Sequence, residues 1–150
     1  MDVLTPEQRS LNMSRIRGLD TKPELQLRKG LHALGYRFRL HVPDLPGRPD
    51  MVFPRYSAVI QVNGCFWHGH DCHLFKMPTS RREFWAAKIG ANKERDKRTD
   101  LALLDAGWRV LTVWECSLKG AKRRPLNEVL DCCGTFLRHH ANKACVVSSL

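Results

Sequence analysis

Two carboxylates, one backbone carbonyl and one histidine near the middle of the chain could together catalyse a hydrolysis. Asp50 starts a predicted strand, and Val62 lies at the end of the next one. In a hairpin, the Asp50 carboxylate and the Val62 carbonyl would lie at adjacent strand ends, and such oxygen ligands suit Mg²⁺. His68 follows in the next loop, and Asp96 could accept a hydrogen bond from it and fix its tautomer. A metal, a base and a group that orients the base are the parts that phosphodiester hydrolysis requires.

A second set of residues has the composition of a zinc site. Cys65, His70 and Cys72 supply three ligands within eight residues, and zinc favours thiolates and imidazoles in a tetrahedral arrangement. We expect Cys116 to be the fourth ligand, because it follows a predicted strand that would run parallel to the strand before Cys65. His73 and His68 are alternatives for that place, and the spacing also allows free buried thiols beside unrelated histidines.

Aromatic and basic residues surround the predicted zinc loop. Phe66 and Trp67 lie between two of its ligands, where we expect one or both rings to be displayed at the surface, with Trp85 beside them. Large apolar rings beside positive charge could insert into a base stack; packing in an aromatic core is the alternative, above all for Trp85. The neighbouring basic residues favour contacts with phosphates, although they could also form a solvated helix face; they are Lys76, Arg81, Arg82, Lys88, Lys93, Arg95, Lys97 and Arg98.

The predicted elements that position these groups form one α/β domain over residues 1–150. Thr5 begins a helix with Pro6 at its first position, Thr21-Lys22-Pro23-Glu24 gives a similar start signal for the next, and Gly18 and Gly35 end them. The second capping box explains Glu24, and a role in supporting a metal ligand without binding the metal itself is also open.

Four strands and two more helices are predicted after Gly35. Strands cover Tyr36–Leu40, Asp50–Phe53, Ala58–Val62 and Arg109–Trp114, the last two being apolar enough to be buried on both faces. Ser80 is expected to cap a long helix that runs to Gly107 with a break near Gly90, and a last helix covers Pro125 to about His140, followed by a tail. The order predicts a mixed sheet flanked by helices.

The composition favours a nucleic-acid partner in a reducing compartment. The formal net charge is +10, from 25 Lys and Arg against 15 Asp and Glu, which favours a polyanion. No apolar run approaches the ~20 residues that span a bilayer, and the start of the chain shows no signal peptide, so we expect no membrane and a cytoplasmic location. Six cysteines in such a chain are more typical of metal binding or free thiols than of disulfides.

Taken together, these segments resemble the very short patch repair (Vsr) DNA mismatch endonucleases. The segments that carry the resemblance are NMSRIRGLDTKPE, LPGRPDMVF, VNGCFWHGHDCHLFKMP, EFWAAKIGANKERD and GWRVLTVWECSL, and they cover most of Asn12 to Leu118. The resemblance implies the restriction-endonuclease-like, PD-(D/E)xK-related fold, a three-layer sandwich with a structural zinc site. It also implies Mg²⁺-dependent nicking on the 5′ side of the thymine in a T·G mismatch that arises from 5-methylcytosine deamination.

The resemblance assigns roles to matching positions. Asp50 and the Val62 carbonyl would bind Mg²⁺, His68 would be the general base, and Asp96 would support it. The zinc ligands would be Cys65, His70, Cys72 and Cys116. The wedge at the mismatch would be Phe66 and Trp67 with Met13 from an N-terminal helix over residues 5–17, with Trp85 behind them, and Arg15 and Lys93 are expected to contact DNA. It also implies a bacterial monomer that acts at the nucleoid, with mismatch-repair proteins as candidate partners.

One position departs from the family pattern. Asn63 stands where the family's best-known pattern has a histidine before the Gly-Cys pair, and Gln61-x-Asn63 stands where the wider nuclease fold has Glu-x-Lys. Asn63 could hydrogen-bond the scissile phosphate but cannot act as a cation, which puts the rate and metal preference in question. Two other functions stay open: a module that binds distorted DNA without cutting it, and a zinc-containing restriction-type endonuclease that cuts matched duplex.

Overall fold

The computed structural model describes residues 21–149, which form a five-stranded mixed sheet with helices on both faces. The helices are α1 (Lys22–Ala33), α2 (Arg82–Asp105) and α3 (Leu126–Arg138), and the strands are β1 (Arg39–Leu40), β2 (Met51–Phe53), β3 (Ala58–Asn63), β4 (Arg109–Trp114) and β5 (Ala144–Val147). The predicted helix over residues 5–17, with Met13 and Arg15, lies outside the described residues.

The strands lie in the order β1-β2-β3-β4-β5. The first three pair antiparallel, whereas β4 pairs parallel with both β3 and β5. Because β3 and β4 are parallel and in register from Ala58↔Arg109 to Asn63↔Trp114, the loops that follow them begin at the same edge of the sheet. The loop that contains Cys65 therefore starts beside the turn that contains Cys116, as the sequence predicted.

Alternating strand residues divide the interior into two hydrophobic layers. Met51, Phe53 and Ile60 pack with leucines of α1 and with α3, whereas Val52 and Val59 pack with Leu103 at the end of α2. Since successive strand side chains point to opposite faces, α1 and α3 cover one face and α2 covers the other. The mixed α/β architecture with three layers is therefore confirmed; its assignment to the restriction-endonuclease-like fold stays a prediction.

Helix α1 begins as the sequence predicted, and α2 does not. The Glu24 backbone N–H donates to Thr21 Oγ1 at 3.4 Å, which makes Thr21 the N-cap. The expected cap at Ser80 is wrong: α2 starts at Arg82, and its N-cap is Arg81 in the left-handed region, without a side-chain hydrogen bond. The expected break at Gly90 is also wrong, because α2 continues through it for 24 residues.

The predicted C-terminal tail contains an additional strand. β5 pairs with β4, and Arg109 at the start of β4 donates to the Asn142 carbonyl just before β5, at 3.5 Å. The Arg109 guanidinium donates to the carbonyls of Phe136, at 2.7 Å, and Leu137, at 3.0 Å, in the last turn of α3. It also donates to the Tyr56 carbonyl at 3.0 Å. One buried cation thus satisfies helix-end carbonyls and joins α3 to the sheet.

Candidate active site and metal centre

A cleft of about 500 Å³ lies at the edge of the sheet where β3 ends. Its walls come from the loop before β2, the end of β3, the loop after β3, and one side of α2. The predicted catalytic residues Asp50, Val62, Asn63, His68 and Asp96 all line it. Four separate segments therefore bring these groups to one cleft, although they are up to 46 positions apart in the chain.

Asp50 is fixed in the cleft by the strand beside it. The Val62 backbone N–H donates to Asp50 Oδ2 at 2.6 Å. The N–H and C=O of one strand residue point to the same side, so the Val62 carbonyl faces the side on which Asp50 lies. The last β2–β3 pair is Met51↔Ile60, so both groups lie just beyond the end of that ladder.

The environment of Asp50 disfavours its charged form. Burial is the largest cause and raises the pKa of Asp50 from 3.8 to about 7. The hydrogen bond from Val62 opposes this shift, the nearby charge of Glu24 adds to it, and Arg28 and His68 lower the pKa. A buried carboxylate with a raised pKa is a group that a bound cation would stabilise.

His68 and Asp96 form a close pair across the cleft. His68 Nδ1 lies 2.5 Å from Asp96 Oδ2, and both side chains are about one-quarter to one-third exposed, at 26% and 31%. An ionised carboxylate only accepts hydrogen bonds, so Nδ1 carries the proton and Nε2 keeps its lone pair. This tautomer leaves His68 able to accept a proton at Nε2.

The loop that contains His68 also contributes three residues to a group of cysteine and histidine side chains, which we call the Cys/His cluster. Cys65, His70, Cys72 and Cys116 place their ligand atoms within 4.8 Å of one another, and the cysteines are free of disulfides. His70 Nδ1 lies 3.6 Å from both Cys65 Sγ and Cys116 Sγ. A zinc ion with ordinary bonds to sulfur and nitrogen at a tetrahedral angle would hold such atoms about 3.6 Å apart. The cluster could therefore hold a metal, and the donor set and spacing fit zinc.

Other contacts hold the loop and the Cys/His cluster. The His70 ring stacks on Trp114 with centroids 4.0 Å apart and planes 5° from parallel. The Cys65 backbone N–H donates to Glu115 Oε1 at 3.2 Å. Gly69 has a φ of +62°, and a Cβ there would lie 2.7 Å from Ile89 Cγ2 on α2. The loop and α2 therefore meet so closely that only glycine fits between His68 and His70.

The aromatic residues of this loop pack with one another instead of with the core. Phe66 and Trp67 are half-buried, lie 5.2 Å apart between ring centroids, and belong to neither hydrophobic layer. Trp85 from α2 contacts both rings, at 5.4 Å and 5.8 Å, and Phe75 stacks on Phe66. We call these four residues the aromatic cluster.

Helix α2 presents charge beside the aromatic cluster. Ile89 and Leu103 are its buried residues, and its exposed basic side chains continue from the cluster towards the cleft; they are Arg82, Lys88, Lys93, Arg95, Lys97 and Arg98. Asn92, which the sequence analysis did not single out, donates from Nδ2 to the Trp67 carbonyl at 2.9 Å. It also accepts from Arg95 Nη2 at 2.7 Å, so the loop and the basic helix are joined.

Glu24 is buried near Asp50, outside the set of residues that line the cleft, and does more than cap α1. Its Oε1 accepts from Arg28 Nη2 at 2.6 Å and lies 3.1 Å from His41 Nε2. Its side chain is 1% exposed, and its ligand atom falls within 4.8 Å of those of His41 and Asp50. Arg28 and His41 were not predicted from the sequence, because neither stands in a recognisable motif.

Comparisons with known proteins identify relatives of this chain. The sequence profile of the family described as DNA mismatch endonuclease Vsr matches residues 1–74. The type II nicking enzyme V.XorIIP of Xanthomonas oryzae pv. oryzae is 49% identical over 132 residues, which cover 87% of this chain and 97% of that protein. The DNA mismatch endonuclease Vsr of Escherichia coli strain K12 is 49% identical over 122 residues, 81% of this chain and 78% of that protein.

A third relative, the type II nicking enzyme V.NmeAIP of Neisseria meningitidis, is 41% identical over 79% of this chain and 84% of its own length. These similarities and the cleft define a nuclease that acts on DNA. The chain belongs to the Vsr DNA mismatch endonuclease family, whose members serve DNA repair. Among the described residues, no helix is long and apolar enough to cross a membrane.

Proposed function

We propose that this endonuclease nicks duplex DNA on the 5′ side of the thymine in a T·G mismatch, the product of 5-methylcytosine deamination. The observation that carries the proposal is the His68–Asp96 pair, 2.5 Å apart, in the same cleft as the buried Asp50 carboxylate. A module that only binds distorted DNA would have no use for a base and a carboxylate arranged in this way. Three relatives are an endonuclease and two nicking enzymes by name, which supports a cut in one strand.

Asp50 and the Val62 carbonyl are the proposed ligands of Mg²⁺. They supply oxygen donors on one side of the cleft, and the charge of Asp50 is unfavourable without a cation. When bound, Mg²⁺ offsets the negative charge that develops on the scissile phosphate. Asn63, in the same cleft, is proposed to hydrogen-bond that phosphate.

His68 is the proposed general base. Its Nε2 lone pair can accept a proton from the attacking water, while Nδ1–H continues to donate to Asp96. Asp96 then stabilises the imidazolium that forms, as a carboxylate does beside a catalytic histidine. Glu24 contributes by its charge near Asp50.

The aromatic cluster is the proposed wedge at the mismatch, and zinc is the proposed ion of the Cys/His cluster. The half-buried rings of Phe66 and Trp67 lie on a loop that contains residues of the Cys/His cluster and accepts a hydrogen bond from α2. A mismatched step costs less to open than a paired one, so a wedge of this kind selects mismatches. We further propose that Met13, Arg15 and Lys93 contact the DNA, that the protein acts as a monomer at the bacterial nucleoid, and that mismatch-repair proteins are candidate partners.

Substrate choice is tested on two duplexes of identical sequence, one matched and one with a single T·G pair. Each strand carries its own end label, so the assay reports which strand is cut and where. We expect one cut, 5′ of the mismatched thymine, in Mg²⁺. Equal cutting of the matched duplex would favour a restriction-type enzyme. Mismatch binding by the wild type and Asp50→Ala without cutting by either would favour the binding module.

The general base is tested by His68→Ala under single-turnover conditions. We expect the cutting rate to fall about 10²–10⁴-fold with little change in the Kd for mismatched duplex, because the base acts in the transition state. His73→Ala is the matched control: His73 is an exposed histidine of the same loop and lies outside the Cys/His cluster. A weaker Kd with an unchanged rate would show that His68 binds DNA instead.

A further inference from the structure

A polar chain links helix α1 to the proposed magnesium ligand. Arg28 Nη2 lies 2.6 Å from Glu24 Oε1 and 3.1 Å from His41 Nε2. On the other side of its ring, His41 Nδ1 lies 3.7 Å from Asp50 Oδ1. All of these side chains are at most 13% exposed. The chain therefore runs from Glu24 through Arg28 and His41 to the carboxylate that faces the cleft.

Glu24, His41 and Asp50 could be taken for a metal site of their own, since their ligand atoms lie within 4.8 Å of one another. The position of Arg28 argues against that interpretation. Its guanidinium already lies against both Glu24 Oε1 and His41 Nε2, where an additional cation would meet a positive charge. The group is better explained as a support for Asp50.

The backbone supports this interpretation independently. His41 has a φ of +47°, in the left-handed region that residues other than glycine adopt infrequently. Its backbone N–H also lies 3.4 Å from the Asp50 carbonyl. Such a conformation costs on the order of 1 kcal/mol and persists where the surrounding structure holds it. In this conformation the His41 ring lies between Arg28 and Asp50.

The neighbours of the His41 ring determine whether Nδ1, the nitrogen that faces Asp50, carries a proton. Nε2 lies 3.1 Å from both the Arg28 guanidinium and Glu24 Oε1. Arg28 has donors only, so a neutral ring that accepts from Arg28 at Nε2 carries its proton on Nδ1. A charged ring carries protons on both nitrogens and can donate from Nε2 to Glu24. The remaining neutral tautomer would also donate to Glu24, but it would lose the hydrogen bond from Arg28 and turn a lone pair towards the Asp50 carboxylate. Nδ1–H therefore points to Asp50 Oδ1 in the charged ring and in the neutral ring that accepts from Arg28.

We propose that His41 is a positioning residue for Asp50: its Nδ1–H, held by Arg28 and Glu24, orients the Asp50 carboxylate for the catalytic metal ion. Val62 holds Oδ2 and His41 faces Oδ1, so the two contacts together restrict rotation of the carboxylate. This inference rests on the proposed function, in which Asp50 binds Mg²⁺. Groups that orient metal ligands typically contribute about 10–100-fold to metal affinity or activity.

Three variants of His41 test the proposal. His41→Ala removes the ring, and His41→Gln keeps a polar group near Arg28 but places its nitrogen at the position of Nε2. His41→Asn places an amide nitrogen at the position of Nδ1, and asparagine tolerates the left-handed backbone. His32→Ala is the control, because His32 is an exposed histidine at the end of α1 that packs beside Phe38.

Two measurements are made on each variant. The first is the Mg²⁺ concentration for half-maximal nicking, with the rate at saturating Mg²⁺. The second is Mn²⁺ affinity without DNA, by electron paramagnetic resonance. We expect His41→Ala and His41→Gln to raise the Mg²⁺ midpoint and weaken Mn²⁺ binding about tenfold or more, with His41→Asn and His32→Ala within about threefold of wild type. The saturated rate should change much less than the midpoint.

The outcomes separate the two hypotheses. Unchanged metal affinity in His41→Gln, or an equal loss in His41→Asn and His41→Ala, would overturn the positioning role even if the wild type nicks as proposed. If His41→Ala does not fold, the Gln and Asn pair still decides. If Mn²⁺ affinity responds as expected but the wild type does not nick a T·G duplex, the proposed function fails and the role of His41 stands.

Discussion

Replacing the proposed magnesium ligand should stabilise the metal-free protein while abolishing its activity. Asp50→Asn removes the carboxylate charge but keeps an oxygen that can accept the hydrogen bond from the Val62 N–H. Burial is the main reason that the ionised form of Asp50 is unfavourable. The asparagine side chain carries no such penalty, so its folded state should be more stable wherever Asp50 would be charged.

The sign and size of the effect follow from the pKa. The folded pKa of Asp50 is raised from 3.8 to about 7, so the folded state holds a proton that the unfolded state has lost. The contribution of Asp50 to stability is therefore fully present below pH 3.8 and is lost as the pH rises to about 7. At about 1.4 kcal/mol per pKa unit the limit is about 4 kcal/mol, and we expect a gain of 2–4 kcal/mol for Asp50→Asn at pH 8.

Unfolding in urea and by heat, in magnesium-free buffer at several pH values, measures this gain. The buffer should contain no strong chelator, so that the proposed zinc stays bound at the Cys/His cluster. We expect Asp50→Asn to raise Tm at pH 8 by on the order of 5–10 °C, and the difference to shrink towards pH 4. Asp44→Asn is the matched control: it removes one carboxylate from the same loop, but an exposed one. Adding Mg²⁺ should then raise the Tm of the wild type and not that of Asp50→Asn.

If Asp50→Asn is no more stable than the wild type at pH 8, burial does not disfavour the charged form of Asp50 as stated. That role of burial is also contradicted if the difference in stability is the same at pH 4 and pH 8, because only a titrating carboxylate gives the expected dependence. An equal gain in Asp44→Asn would assign the effect to net charge and not to burial.

Three further changes test other parts of the structure. Cys116→Ser should lose bound zinc, measured by elemental analysis, and lower both Tm and nicking, whereas the exposed Cys132→Ser should change neither; equal zinc content in both would contradict the proposed ligand set. Gly69→Ala should reduce nicking by at least about tenfold, because its methyl group would push His68 and the loop away from Ile89 on α2; an unchanged rate would mean that the loop can shift freely. Arg109→Met should lower the free energy of unfolding by on the order of 3 kcal/mol, since it leaves helix-end carbonyls of α3 buried without their donor, and a loss under about 1 kcal/mol would argue against that role.

Much of the architecture could be predicted because it depends on local patterns. The apolar, β-branched runs of β3 and β4 indicated buried strands. Thr21, with Pro23 two residues later, indicated the N-cap of α1. The start of α2 could not be predicted in this way. Ser80 and Glu83 have the spacing of a capping box, yet the chain enters the helix through a left-handed Arg81. Cation–π contact of Arg81 with Phe84 at 4.1 Å is one tertiary feature that the pattern could not show.

The candidate site was predictable where its residues stand in motifs and unpredictable where contacts alone define them. Spacing and resemblance singled out Asp50, His68 and Asp96, which do line one cleft. Arg28 and His41 approach Asp50 only because α1 packs beside the end of β1, and no spacing in the sequence encodes that approach. β5 was missed because a four-residue strand with two exposed positions has little pattern of its own and depends on pairing with β4.

The parallel pairing of β3 with β4 has a consequence for how sequences of this kind can change in length. Asn63 lies opposite Trp114, and the two loops that leave this point supply His68 on one side and Cys116 on the other. Inserting one residue within either strand would turn every later side chain of that strand to the opposite face. We therefore expect natural length variation to fall outside the paired strands and to be rare within 58–63 and 109–114.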